Sequence, residues 1–310
     1  MVISVAFSEG PLVSYQSFVL GLVGSILIMS FASSVAQKIH LVDVNDEPRK
    51  DHEGRIPLVG GIGLFISLIY GTLVFGVNTF YLYVLASILP IMLMGILDGI
   101  QGIIIKPAYR LIAQILSSWL VIIFSDIYIR DLGNLFGLGD LYIGELGIPF
   151  TIFCVVGITN AFNMIDGKDG LLGSVSFVIM FSLMSLIYIN GTSYLWPLIV
   201  SLSILIYLAF NLSLFGNKRK IFLGDHGSTA LGHIVAWTLI YLSQEIDLIT
   251  PASALWFVLL PLTDAFLTFT RRLRSSHSVF EADRRHFHHL LSNNGYSNIT
   301  IVVICSVIAI

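Results

Sequence analysis

Charge is scarce in this chain of 310 residues: Asp, Glu, Lys and Arg make up 11% of it, against about a quarter in a soluble domain. That scarcity excludes an ordinary water-soluble enzyme and a disordered protein, because neither could hide or tolerate so much apolar surface. The net charge of -3 provides no basic excess for a polyanion, which excludes a nucleic-acid-binding domain. The only two cysteines, Cys154 and Cys305, both lie inside apolar runs, so neither a disulfide framework nor a thiolate metal site is indicated. What the chain has instead is 56% hydrophobic residues and a mean hydropathy of +0.89. Such a composition defines a polytopic membrane protein.

A membrane-spanning helix needs about 20 mostly apolar residues. Ten candidate spans fall near 11–36, 58–77, 80–97, 111–125, 148–164, 171–189, 194–214, 228–242, 252–269 and 299–310. No barrel-like series of alternating ten-residue segments is present, so the expected fold is all-α, a single integral membrane domain of about ten helices. The first segment is too long, and too poor in basic residues at its start, for a cleaved signal peptide. The last segment is short for a crossing and reads either as a truncated span or as a shallow helix. Ten spans place 15 of the 16 basic residues on one side, with Arg130 alone on the other. By the positive-inside rule that side is cytoplasmic, and the chain reads as a multi-pass membrane protein.

Polar chemistry collects on the same side, in five clusters. The first is Asp46-Glu47-Pro48-Arg49-Lys50-Asp51-His52, followed by Pro57, Gly60 and Gly61. Basic groups beside a glycine pair suit an anion that approaches the backbone; the glycines alone would also suit helix packing. The second is Asp98, with Lys106 and Arg110 beyond it. In the third, Asn160, Asn163, Asp166 and Asp169 recur every third residue, which would present four oxygen ligands along one side of a helix end. The fourth is Phe222-Leu223-Gly224-Asp225-His226-Gly227-Ser228, where glycines flank an aspartate and Ser228 suits a helix cap. The fifth is Asp283-Arg284-Arg285-His286-Phe287-His288-His289. Three histidines at this spacing suit zinc, but the two preceding arginines and the lack of thiolates favour phosphate oxygens.

Oxygen ligands without thiolates, together with Arg, Lys and His, describe a Mg²⁺–diphosphate site, with Mn²⁺ able to substitute. The matching chemistry is phosphoryl transfer from a cytosolic nucleotide-linked donor to an acceptor in the membrane.

These stretches, spanning Val42 to about Gly295, resemble the polyprenyl-phosphate N-acetylhexosamine-1-phosphate transferases. Within that family they look like the undecaprenyl-phosphate GlcNAc-1-phosphate branch rather than the peptidoglycan-precursor translocases. The resemblance implies a UDP-amino sugar donor, undecaprenyl phosphate as acceptor, and release of UMP at the start of a surface polysaccharide such as O-antigen. It implies that Asn163 and Asp225 hold Mg²⁺, that Phe222 packs on uracil and Asp169 hydrogen-bonds it, and that Lys50 sits near the nucleotide. Asn160 and Arg110 would join the substrate contacts, and Asp166 the catalytic group. Arg285 with His286, His288 and His289 would bind the diphosphate and stabilise the leaving UMP. Asp98 matches the first aspartate of the family's acidic pair, near the lipid phosphate.

The second aspartate of that pair is Gly99 here. That departure favours an alternative, a catalytically impaired relative that binds nucleotide sugar or regulates a partner. A third reading, an anion transporter, lacks a charged path across the membrane; Asp264 is the only ionisable residue well inside a span. A membrane-buried homodimer is compatible with the sequence.

Overall fold

The computed structural model describes residues 15–44, 54–135, 137–274 and 286–309. Two expected substrate-binding residues, Lys50 and Arg285, lie outside the described residues, as do Asp46, Arg49, His52, Asp283 and Arg284.

The fold is almost entirely helical. In chain order it comprises α1 (Tyr15–Lys38), β1 (Val42–Val44), β2 (Arg55–Pro57), α2 (Gly60–Phe75), α3 (Thr79–Ser87), α4 (Leu89–Gly99), α5 (Pro107–Ser125) and α6 (Gly147–Ile165). There follow α7 (Leu171–Ile189), α8 (Leu195–Asn211), α9 (Asp225–Gln244), α10 (Pro251–Phe257), α11 (Leu259–Arg274), α12 (Phe287–Asn293) and α13 (Asn298–Ile308). Among the described residues five helical stretches are long and apolar enough to cross a membrane, and α10 with α11 makes a sixth if the bent pair is one span. The helices α2, α8 and α13 are apolar but shorter.

Proline interrupts two expected spans: the third remains one 21-residue stretch, Thr79–Gly99, with a local break, and the ninth is sharply bent. Pro90 has no N–H to offer the carbonyl of Ala86, and the third span divides there into α3 and α4. Pro261 stands in the same relation to Phe257, where α10 and α11 meet at 81°. Other ends carry ordinary signals. Asn78 accepts a hydrogen bond from the Phe80 N–H at 2.8 Å to start α3, and Pro107 opens α5.

The bundle is built around α9. Every residue from His226 to Ser243 is buried, although this is among the less apolar helices. Protein rather than lipid surrounds it, and some of its polar groups find partners there: His233 Nε2 lies 2.9 Å from Ser87 Oγ, and Thr238 Oγ1 accepts from Trp196 Nε1 at 2.9 Å. Glycines let its neighbours close in. A Cβ on Gly61 of α2 would fall 2.4 Å from Gly227 Cα, and one on Gly95 of α4 would fall 2.6 Å from His226 Cα. By contrast α1 lies at the edge, with Leu20, Leu27 and Phe31 each more than 60% exposed, as expected of a lipid-facing helix.

The glycine pair therefore serves packing. Its N–H groups are already used, Gly60 donating to Phe222 O at 2.9 Å and Gly61 to Leu223 O at 3.0 Å, which overturns the reading of this pair as an anion cradle. The same bonds stitch the loops at one end of the bundle. There β1 and β2 pair antiparallel with Val42 opposite Pro57, Leu41 bridges Ile100, and Leu58 bridges Phe222. The segments before Asp225 and after Asp98 are thus held on one small platform.

Candidate active site

Three helix ends meet above this platform. Asp98 is the penultimate residue of α4, Asn163 lies in the last turn of α6, and Asp225 is the first residue of α9. Gly224 makes the last placement feasible: at φ 74° it turns the chain directly into the helix, a conformation that disfavours side chains. The helix consequently starts three residues earlier than expected, and Ser228 is not its cap. Instead Ser228 Oγ accepts from Asn163 Nδ2 at 2.8 Å, tying α6 to α9.

Arg110, in the first turn of α5, joins the carboxylates. Its Nη1 lies 3.1 Å from Asp98 Oδ2 and 2.9 Å from Asp225 Oδ2, so one guanidinium nitrogen serves both. Asp98 is further fixed by the N–H of Ile105, which donates to its Oδ1 at 2.9 Å. The Asn163 amide and the charges of Asp98 and Asp43 also act on Asp225. Asp166 follows α6 directly; burial, then the charges of Asp225 and Asp169, push its carboxyl up to about 7. Two carboxylates against one arginine, with a third acid resisting ionisation, leave this end short of positive charge. Asp225 and Asn163 are hard oxygen donors on adjacent helix ends, which fits an ion such as Mg²⁺ that takes few protein ligands and keeps waters and phosphates. Among the described residues no group of three or more His, Cys, Asp or Glu side chains is disposed to hold a metal without such help.

The four residues at three-residue spacing do not converge. Asn160 turns to α5, where its Nδ2 donates to Gln114 Oε1 at 2.7 Å. Asn163 faces α9, Asp166 ends the helix, and Asp169 lies beyond it in the turn before α7. Asp169 Oδ2 accepts from Lys220 Nζ at 2.5 Å, and the same ammonium stands 5.3 Å over the Phe222 ring. A second site region thus forms around Asp169, Lys220 and Phe222. Buried Asn211 holds it together: its Oδ1 accepts from Gly170 N at 2.6 Å and its Nδ2 donates to Ile221 O at 3.0 Å.

The histidines reach the site through Gly167. A Cβ there would lie 2.3 Å from His288 Nε2, so only glycine lets α12 dock on the turn that carries Asp166. His288 is buried; burial and the neighbouring His289 and His286 lower it to about 3, so it enters as a neutral imidazole. The rings of His288 and His289 are 4.2 Å apart, and those of His286 and His288 are parallel at 5.7 Å.

Several residues here escaped the sequence reading. Lys220, Asn211 and Gln114 are polar groups whose partners lie 51, 41 and 46 positions away, and only the fold pairs them. Gln114 did carry a signal, one turn after Arg110 on an apolar helix. Gly99 faces the other way: outside its own helix a Cβ there would meet only Leu41 Cδ1 at 2.9 Å and Leu58 Cδ1 at 3.4 Å.

Fold and site together define a polytopic helical membrane protein whose loops gather carboxylates, amides, basic groups and histidines at one end of the bundle. The chain belongs to glycosyl transferase family 4, whose model matches residues 81–243. It is similar to undecaprenyl-phosphate alpha-N-acetylglucosaminyl 1-phosphate transferases. That of Escherichia coli (strain K12) is 36% identical over 279 residues, covering 88% of this chain and 74% of the relative. The Yersinia pestis protein is 37% identical over 279 residues, covering 88% and 75%, and the Haemophilus influenzae protein is 37% identical over 281 residues, covering 89% and 78%.

Proposed function

We propose that this chain transfers GlcNAc-1-phosphate from UDP-GlcNAc to undecaprenyl phosphate, releasing UMP, as the first membrane step of a surface polysaccharide such as O-antigen. The observation that carries the proposal is the Asp98–Arg110–Asp225 bridge set beside Asn163 and one turn from the Asp169–Lys220–Phe222 group. Asp225 and Asn163 would hold Mg²⁺, which when bound neutralises charge on the donor diphosphate. Phe222 offers a face to uracil, and Asp169, held by Lys220, offers it an acceptor. Arg110 draws the acceptor phosphate toward Asp98. An oxygen of that phosphate attacks the sugar-bearing phosphorus, and the bond to UMP breaks; His286, His288 and His289 face the charge that moves onto the leaving group. Lys50 and Arg285 would add positive charge to the donor phosphates. The excess of basic residues at this end supports a site open to the cytoplasm of a bacterium, where UDP-sugars are found.

The impaired-relative reading rests on Gly99, yet that position faces Leu41 and Leu58, and Asp98 keeps its Arg110 partner without a second aspartate. The test is UMP release by membranes given a panel of UDP-amino sugars and undecaprenyl phosphate. UDP-GlcNAc should give the fastest release, dependent on Mg²⁺. Absence of release with every UDP-amino sugar would overturn the proposal.

A further inference from the structure

The proposed reaction leaves Asp264 unused. It lies in the second turn of α11, is 7% exposed, and stands on a segment that is otherwise apolar up to the basic residues of its last turn. A carboxylate in that position is costly unless it is partnered. Both of its oxygens are engaged at the same short segment. Oδ2 lies 2.7 Å from His286 Nδ1, and Oδ1 accepts from the Phe287 N–H at 2.7 Å. His286 is itself 6% exposed, and Thr268 Oγ1, one turn after Asp264, lies 3.4 Å from the same ring nitrogen. His286 opens α12, its carbonyl accepting from the N–H groups of His289 and Leu290 at 2.9 and 3.0 Å. One carboxylate therefore fixes the start of the helix that carries His288 and His289, and fixes the ring of His286 just before it.

We infer that Asp264 is a positioning residue for His286, accepting its Nδ1–H so that Nε2 is the nitrogen left for the diphosphate. This rests on the transferase reading of the site. A phosphate oxygen needs a donor at Nε2, and an imidazole that donates from both nitrogens is an imidazolium. A carboxylate at hydrogen-bond distance accepts one of those two N–H bonds and fixes the orientation of the ring. The amide of asparagine cannot replace it. Two donors, His286 Nδ1–H and Phe287 N–H, point at two carboxylate oxygens, and an Asn would turn its NH₂ toward one of them.

The experiment is a double-mutant cycle between Asp264→Asn and His286→Gln in the full chain, purified in detergent. Asp264→Asn should lower kcat about tenfold to a hundredfold, in the range seen for groups that orient a functional histidine. It should also raise the Kd for UDP in the presence of Mg²⁺ about fivefold. In the His286→Gln background it should change neither quantity by more than about twofold, because its action passes through that ring. Losses that multiply in the double variant would overturn the inference, as would an Asp264→Asn enzyme within about twofold of the parent. Asp264→Glu, which keeps both acceptor oxygens, is the second variant and should stay within about tenfold of the parent; a folded Glu variant as slow as His286→Gln also contradicts the inference. An inactive parent would count against the transferase reading alone, since the cycle in UDP affinity does not need turnover.

Discussion

The two ends of the site hold their charges in different proportions. Around Phe222 one ammonium, Lys220, meets one carboxylate, Asp169, and Asn211 locks the backbone on both sides of the pair. Beyond Asn163 one nitrogen of Arg110 is shared by Asp98 and Asp225, with Asp166 close by. The first end is balanced and built before any ligand arrives, which suits recognition of a neutral base. The second is unbalanced toward negative charge, and a divalent cation with its phosphates would complete it. On the proposed reading the difference separates recognition from chemistry along the site, with α6 and the turn after it running between them.

The comparison can be broken at several points. The largest effect is expected from Asp225→Asn, which keeps the size of the side chain and discards its charge. Transfer should fall by about a hundredfold or more, measured as UMP release at saturating substrates. A smaller effect is expected from Arg110→Ala: kcat/KM for undecaprenyl phosphate should drop roughly tenfold, while Mn²⁺ binding tightens because a competing cation has left Asp225. At the balanced end, Lys220→Met should raise KM for the UDP-sugar about fivefold and leave kcat within about twofold, as befits one partly exposed ion pair. The smallest effect belongs to Gly99→Asp. Among the described residues no basic side chain stands within 4 Å of that Cβ, and the Leu41 methyl can turn aside, so turnover should stay within about threefold of the parent.

Much of this arrangement was legible in the sequence, for identifiable reasons. Apolar run length located the helices, and the clustering of Asp98, Asn163, Asp166 and Asp225 beside glycines and basic residues marked the polar end. Periodicity misled where tertiary packing decided the outcome. Asn160 lies on the expected stripe, yet Gln114 of the neighbouring helix takes it. Gly60 and Gly61 offered free N–H groups only until the segment before Gly224 paired with them. A buried central helix and a lipid-facing one are hard to tell apart by run length, so nothing in the sequence marked α9 as the centre of the bundle. Asp264 was visible as an isolated charge, but its partner His286 is 22 positions away across residues outside the described structure.

The claim that a metal belongs to the Arg110 end, and not to the Lys220 end, is tested most directly by titrating the purified chain with Mn²⁺ and following the free ion by electron paramagnetic resonance. The parent should bind Mn²⁺, Asp225→Asn should bind it at least about tenfold more weakly, and Lys220→Met should match the parent within about twofold. Parent-like binding by Asp225→Asn, or an equal loss in Lys220→Met, would contradict the account.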